Sequence, residues 1–561
     1  MYIVHLQPYT MKSKASKGLL LLLFTVLFNY LFWQEDAGLN LLLFTAAINL
    51  LLFYLYPEIR SKRAAWLVAI GSLLGALATV IFNSGISKIA TVVSIGLLNG
   101  FAMFPAAKSI ISAFAATITN LCGGFMVGLF KHYEADERFS GAEPETAPKP
   151  RKWKRVVKLA VIPIIITVVF YFIFAMANPV FAKIAEQFND FIINIFDRLF
   201  SGWTIERIGF TLLGTYLVGT MLYHWLPEFF PPAETNLDNA ATPRENESSF
   251  ISWLGLQGIK DETLVGIITL VMVNLLILAL NIIDISTLWF KFNYQDGMDL
   301  SSLVHVGTYW LIFSILLAMA ILMYLFRGNQ NFNTNNKVLK ALTYTWILQN
   351  TIMVISVVIR NYHYIENHGL TYKRIGVYTF LLMTVLGLVT LIFKIGQKRS
   401  NFFLWRINTW LAYGLLLVAS FCNWDYFIAC SNIHTVKAQT LPDYQPKKRK
   451  VKTDKVDMDY LLSLSDKALP ALLTHPKFEE PYYIGTSGTL KELVKYRYQR
   501  MSSRVGQRSW LSYNFADAKA LQELEAYFTA HPEMPTADSL DAPVIEEIDV
   551  NLDSTENSPI R

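Results

Sequence analysis

Residues 263–289 read TLVGIITLVMVNLLILALNIIDISTLW, a stretch whose only ionisable side chain is Asp284. A helix needs about 20 apolar residues to cross a hydrocarbon layer of roughly 30 Å, and this run is longer than that. As a buried core helix of a soluble protein it would require a core wider than single domains achieve. Eleven further apolar segments stand at 18–33, 37–56, 65–83, 89–104, 106–130, 157–177, 205–225, 304–326, 339–359, 374–393 and 402–422. The pattern predicts an all-α, polytopic transmembrane helix bundle of about 12 hydrophobic helices, followed by a small helical soluble C-terminal domain. The segments flanking Pro105 share a turn with one charge, Lys108. They read either as a tight hairpin or as one span plus a half-helix.

Composition agrees with a membrane setting. Charged residues make up 16% of the 561 positions, where a soluble protein carries about a quarter. The net charge of +6 resides largely in loops beside helices, which argues for orientation in a bilayer and against nucleic-acid binding. Cys122, Cys422 and Cys430 form neither a metal spacing nor a disulfide framework. Lys12, Lys14 and Lys17 precede the first apolar run in the manner of a secretory signal. That run ends in Trp33-Gln34-Glu35-Asp36 with no small-residue cleavage site, so it reads as an uncleaved first membrane helix. Met11 is an alternative start.

The chain divides into N-terminal membrane helices (1–130), a basic, Pro-rich loop (131–156), membrane helices (157–230), a polar linker (231–262) and C-terminal membrane helices (263–422). A soluble helical domain (423–530) and an acidic disordered tail (531–561) follow. Within 181–200, Ile184, Phe188, Phe191, Ile192 and Ile195 keep helical spacing among charged residues, the pattern of an interfacial helix. Helical spacing also marks 458–473, 489–501 and 517–528. The last thirty residues hold eight acids against one basic residue, Arg561.

Orientation follows from Lys and Arg in short loops. Basic residues collect at the N-terminus, at Arg60-Ser61-Lys62-Arg63, and in the stretches 149–158, 327–340 and 394–406. All five can face the cytoplasm only if 89–130 crosses the membrane a net odd number of times. The N-terminus is then cytoplasmic and the C-terminal domain extracytoplasmic. A basic cluster at 437–455, close behind the last span, favours the opposite side. Short loops obey the rule better than a long domain does.

No phosphate loop, dinucleotide fingerprint, zinc-protease motif or nucleophile elbow is present. The expectation is therefore no enzyme activity, no catalytic residue, no cofactor and no metal. What remains is polar residues at membrane depth, which are costly there and tend to face a bundle interior or a cavity. Asn274 and Asn281 share a helix face, and Asp284 lies one turn further along it. Interhelical hydrogen bonding by asparagines is the simpler reading of that face, a lined polar pocket the sharper one. Helices eight to twelve alternate in direction, so one membrane face collects Asn281, Asp284, His305, Arg360, His363, Arg374, Asn423 and Asp425. These eight are the candidate polar pocket. Asp284 and Arg360 are expected to lie close together, with His305 and Asn423 nearby. An unpaired carboxylate is expensive at that depth, and a guanidinium grips one with two hydrogen bonds. The competing expectation is that Arg360 snorkels to headgroups while Asp284 meets water.

One family resemblance adds to this. VHVGTYWLIFSILLAMAILMYLFRG (304–328), Arg360-Asn361-Tyr362-His363-Tyr364-Ile365 and His368-Gly369-Leu370-Thr371-Tyr372-Lys373-Arg374 resemble the bacterial membrane proteins of domain of unknown function 4173. The related family 4153 has a similar layout. Asn423-Trp424-Asp425, Asp459-Tyr460-Leu461-Leu462 and Arg508-Ser509-Trp510 are similar to later blocks of the same family. Cys430 stands where that pattern leads one to expect an arginine. The resemblance covers 304–514 and implies the architecture and a bacterial inner membrane, but no activity.

Three classes of function are open. A transporter-like protein would use the polar face around Asp284 and a small molecule or ion. A scaffold or signalling protein would use the C-terminal domain to hold a protein partner. A polyprenyl-phosphate-type transferase would use Glu35 and Asp36 in the first short loop, though an acidic outer turn is the simpler reading of that pair. In each case the lipid bilayer is a partner and nucleic acid is not.

Overall fold

A computed structural model describes residues 14–129, 204–227, 237–241, 259–289, 300–326, 329–333, 336–439, 458–476, 478–479 and 489–532, with a few positions between 167 and 190. These residues are almost entirely helical. Among them no strand forms, only an isolated bridge between Ala240 and Arg399. The helices of the bundle are α1 (Lys14–Phe32), α2 (Leu39–Leu55), α3 (Arg63–Phe82), α4 (Gly85–Met103), α5 (Ile110–Thr119) and α6 (Ile205–Leu222). They continue with α7 (Ile259–Asp284), α8 (Leu300–Leu325), α9 (Lys337–His368), α10 (Tyr372–Gly396) and α11 (Asn401–Ser420). Among the described residues seven helices are long and apolar enough to cross a membrane, and three further apolar helices are shorter. The segment expected at 157–177 lies outside the described residues apart from Thr167, Tyr171 and Met176, which are helical. The described positions of the expected interfacial helix, between 181 and 190, are helical too, and 191–200 lies outside.

Local sequence sets the boundaries. Asn83 ends α3 in the left-handed region (φ 45°), and Ser84 starts α4 by accepting a bond from the Ser87 amide at 3.1 Å. Ser109, Thr204 and Ser400 cap α5, α6 and α11 in the same way. Such caps satisfy amides that a helix start leaves unpaired.

The helices gather at two ends. At one end Lys17 Nζ and Tyr56 Oη donate to the Leu222 carbonyl (3.3 and 3.1 Å), and Tyr56 stacks on His224 at 4.4 Å. There also Lys108 reaches Leu237 O, the Ser400 amide meets Asn239 O, and Gln330 bonds Thr263. This basic end carries Arg60, Lys62, Arg63, Lys337, Lys340, Lys398 and Arg399. At the other end lie the α1–α2 and α3–α4 turns, the α9–α10 turn and the end of α11. Antiparallel contacts set this order: Thr25 with Thr215 and Asn29 with Thr211 pair α1 with α6. Tyr413 with Ser94, Trp410 with Phe101 and Phe421 with Phe82 seat α11 on α4 and α3. Helix α11 also joins two apolar cores, through Leu404 on the α7–α10 side and Tyr413 on the α1–α6 side.

One charge is not where solvated-loop reasoning put it. Lys394, expected in a basic turn, is fully buried, and its Nζ donates to Phe326 O at 3.0 Å. It closes the C-terminus of α8, a common use of lysine there.

The ambiguous segment after Pro105 takes an unusual course. Helix α5 runs antiparallel to α4, so tightly that a Cβ on Gly100 would collide with the Ala113 carbonyl oxygen. The chain then passes through a π-helical turn, Asn120–Gly124, broken at Cys122 and at Gly123 (φ 126°). Asn120 Nδ2 donates to Thr220 O (2.6 Å), Gly124 faces the Trp225 carbonyl, and Gly128 faces that of His224. Three successive turns thus stay beside the last turn of α6 and the residues after it. A crossing helix would meet earlier and earlier turns of its neighbour. Single cysteines at 111, 118, 123 and 128 are therefore expected to label from one side of the membrane only, that of the basic end. Labelling of 128 exclusively from the other side would mean a full crossing.

Beyond Ser420 the chain forms a helical cap: α12 (Trp424–Gln439), α13 (Met458–Ser463), α14 (Leu469–Leu472), α15 (Leu490–Gly506) and α16 (Phe515–Ala530). The helix expected over 458–473 is split by a 3-10 turn, Asp466–Ala468. Arg497 organises that break, donating to Asp466 (3.0 and 2.7 Å) and to the carbonyls of Leu462 and Leu464 (both 2.7 Å). The cap has its own core of Ile428, Met458, Leu461, Leu469, Val494 and Leu524, which Leu370 of the bundle enters.

Candidate functional site

Helices α7 and α9 run parallel in constant register. Asn274 Nδ2 bonds Leu342 O and Asn281 Nδ2 bonds Gln349 O, both at 3.1 Å and both 68 residues apart in sequence. Gln349 Nε2 returns a bond to Asn274 Oδ1 (3.2 Å), and Trp289 Nε1 meets Ser356 Oγ (3.2 Å). The seven-residue spacing of 274 and 281 against 342, 349 and 356 keeps these groups in one seam. Amide-to-backbone bonds of this kind glue helices where lipid offers no hydrophobic drive.

The seam ends in an ion pair. Arg360 Nη2 lies 2.5 Å from Asp284 Oδ1, with side-chain exposures of only 12% and 3%. In the register set by Asn281 and Gln349, Arg360 sits roughly two turns beyond Asp284. Its side chain therefore leans back toward the N-terminus of α9, as helical side chains do, and does not extend to headgroups. Asp284 precedes a π-helical turn, Ile285–Trp289, a distortion frequent at functional sites. In the pair Asp284 Oδ2 and Arg360 Nε, and along the seam Asn281 Oδ1 and Gln349 Oε1, are buried and have no hydrogen-bond partner among the described residues.

The other expected pocket residues share the capped end with this pair, but not one cluster. His363 pairs with Glu366 (3.1 Å) at the surface. Arg374 closes the end of α9, donating to the carbonyls of His368 (2.8 Å) and Gly369 beneath the Tyr364 ring. Asn423 starts α12 by accepting from the Tyr426 amide, and lines a cavity of about 350 Å³ with Phe82, Lys467 and Phe515. Asp425 accepts from Tyr372 Oη (2.7 Å) and Ser465 Oγ. His305 lies on α8, and its side chain falls outside the described residues. Asn423 belongs to the junction of cap and bundle, where α11 ends against α3.

That junction is the second polar feature, and single-sequence reading missed it. The Leu39 amide bonds Tyr513 O (3.1 Å), the Asp36 amide bonds Ser512 Oγ (2.8 Å), and Ser512 Oγ donates to Glu35. Arg508 forms an ion pair with Asp36. Burial pushes Glu35 up, but bonds from Ser509 and Ser512 and the charge of Arg508 outweigh it and hold the carboxyl below its ordinary range. Lys467 reaches Asn83 O, and Asn83 reaches Asp517 (3.4 Å). Burial holds the Lys467 amine below its ordinary range against the pull of Asp517 and Asp425. Asn432 clasps both the amide and the carbonyl of Leu370 (2.5 and 2.9 Å). The acidic pair Glu35-Asp36 thus holds the cap. Among the described residues no group of His, Cys, Asp and Glu has a metal-holding arrangement.

A sequence model of domain of unknown function 4153 matches residues 22–475. The chain belongs to the DUF4153 family. The family shown is 4153, the related one; the 4173 family that residues 304–514 resemble is not shown, and the match begins in α1, well before that stretch. Apolar spans in which Leu, Ile, Val and Phe interchange carry little that the eye can match. No curated protein and no solved structure matches the chain. The DUF4153 stretch contains both Asp284 and Arg360, and the Glu35-Asp36 turn. Arg508 and Ser512, which grip that turn, lie beyond it.

Proposed function

We propose that this is a multi-pass protein of a bacterial cytoplasmic membrane, acting as an envelope scaffold or signalling partner through its cap. The observation that carries the reading is the docking of one small helical domain onto turns from both halves of the bundle, at 35–39, 83 and 369–372. A partner gripping the cap would thereby pull on both halves together. Ten described helices and the span expected at 157–177 would make eleven crossings, with a re-entrant segment around α5, and suit this arrangement. The basic residues collected at the uncapped end support a cytoplasmic N-terminus and an extracytoplasmic cap. Alkaline phosphatase fused after Arg561 is then expected to be active and a fluorescent protein there dark. The reverse pattern would overturn the orientation.

A second reading, transport, has one specific observation in its favour: the buried Asp284–Arg360 pair with polar atoms left over around it. Ionisable groups at membrane depth commonly mark ion or proton paths. Complementation of a strain lacking the gene separates the two. A scaffold loses function when 457–561 is deleted and keeps it when Asp284 and Arg360 are both replaced by Leu; a transporter loses it in that double variant. The reading includes no enzyme activity. The use of Glu35 and Asp36 in holding the cap weighs against a transferase built on them.

A further inference from the structure

Between α1, α2 and α3 an apolar cavity of about 950 Å³ opens sideways from the bundle. Its floor is made shallow-walled by alanines, Ala46 and Ala47 of α2 and Ala69 of α3, and its sides are Leu50, Ile70 and Leu73. At the basic end it is closed by Tyr54, Trp66 and Arg60. From Trp66 to Leu73, or from Tyr54 back to Ala46, the slot runs about 10–12 Å along the helices. With the turn holding Arg60 added, that is close to half of a hydrocarbon layer roughly 30 Å thick. The slot is one leaflet deep.

The mouth has the opposite chemistry. Arg60 Nε donates to Phe53 O and Trp66 Nε1 donates to Arg60 O, both at 2.9 Å. These bonds root the arginine at the slot while its side chain stays exposed. Lys62 and Arg63 follow in the same turn, exposed, against one acid, Glu58. We propose that this slot holds an anionic phospholipid of the basic-end leaflet, one acyl chain lying between α2 and α3 and its headgroup phosphate on Arg60. Walls this apolar offer nothing to a polar metabolite, and a guanidinium at the rim suits a phosphodiester. Inside a bilayer an acyl chain gains little from apolar contact alone, since lipid tails are as apolar as leucine. Preference must therefore come from the headgroup charge and retention from the shape of the slot. The inference requires α1–α3 to span a bilayer and stands for either orientation of the protein.

Native mass spectrometry of the full chain in detergent tests it, with equimolar phosphatidylglycerol and phosphatidylcholine of identical acyl chains. The wild type is expected to retain phosphatidylglycerol at least about fivefold better, and Arg60→Gln to lower that preference about fivefold, the effect of one basic residue at an anionic surface. Ala46→Trp, which fills the slot from its floor, is expected to reduce retention of both lipids. Equal retention by the wild type, an unchanged preference in Arg60→Gln, or undiminished retention in Ala46→Trp would each overturn the proposal.

Discussion

Arg360→Leu is expected to destabilise the protein by about 3–5 kcal/mol, the usual consequence of removing one partner of a buried ion pair. Asp284 would be left at 3% side-chain exposure with neither of its oxygens paired among the described residues, since Oδ2 has no partner there even in the wild type. The double variant Asp284→Leu with Arg360→Leu is expected to return to within about 2 kcal/mol of the wild type, because well-packed apolar groups replace such pairs nearly neutrally. Thermal unfolding in detergent, followed by size-exclusion recovery, provides the comparison. A double variant as damaged as the single one would show that the pair matters for something other than mutual charge compensation. Asp284→Asn would leave Arg360 as a buried charge without its partner, whereas the double variant leaves neither charge, so the double variant is the one to carry into complementation.

Gly38→Ala is the second large effect. A Cβ at position 38 would stand 2.5 Å from Tyr513 O and 2.6 Å from Ser512 O, closer than such atoms approach. Both oxygens belong to the backbone, so no side-chain rotation relieves the contact, and overpacking of this kind costs about 1–3 kcal/mol. The 510–513 turn must lift, taking with it the Leu39–Tyr513 and Asp36–Ser512 bonds. Faster amide hydrogen exchange over 508–517 and easier tryptic cleavage after Arg508 are the expected signs. Gly18→Ala, where a Cβ meets nothing within 4 Å, serves as the control. Exchange in 508–517 that is unchanged by Gly38→Ala would mean that the cap is not held at this turn.

The sequence by itself determined the helices, and even one contact between them. Crossing a hydrocarbon layer is a local requirement of length and polarity, so runs such as 263–289 declare themselves without neighbours. Asp284 and Arg360 could be paired in advance because alternating helices return to one face and a carboxylate at that depth needs a partner. The same argument placed Asn423, Asp425, His363 and Arg374 on that face, and went no further. Sharing a face supplies one coordinate of three. The other two depend on how helices pack side by side, and apolar flanks of Leu, Ile and Val interchange too freely to announce their neighbours. Tertiary structure alone decided that Lys394 is buried on the end of α8, and that the segment after α5 stays beside the end of α6. It also decided that Glu35 and Asp36 serve the cap. Contacts between residues more than 470 positions apart leave no period and no spacing in the chain. They arise only when the two ends of the sequence fold onto the same end of the bundle.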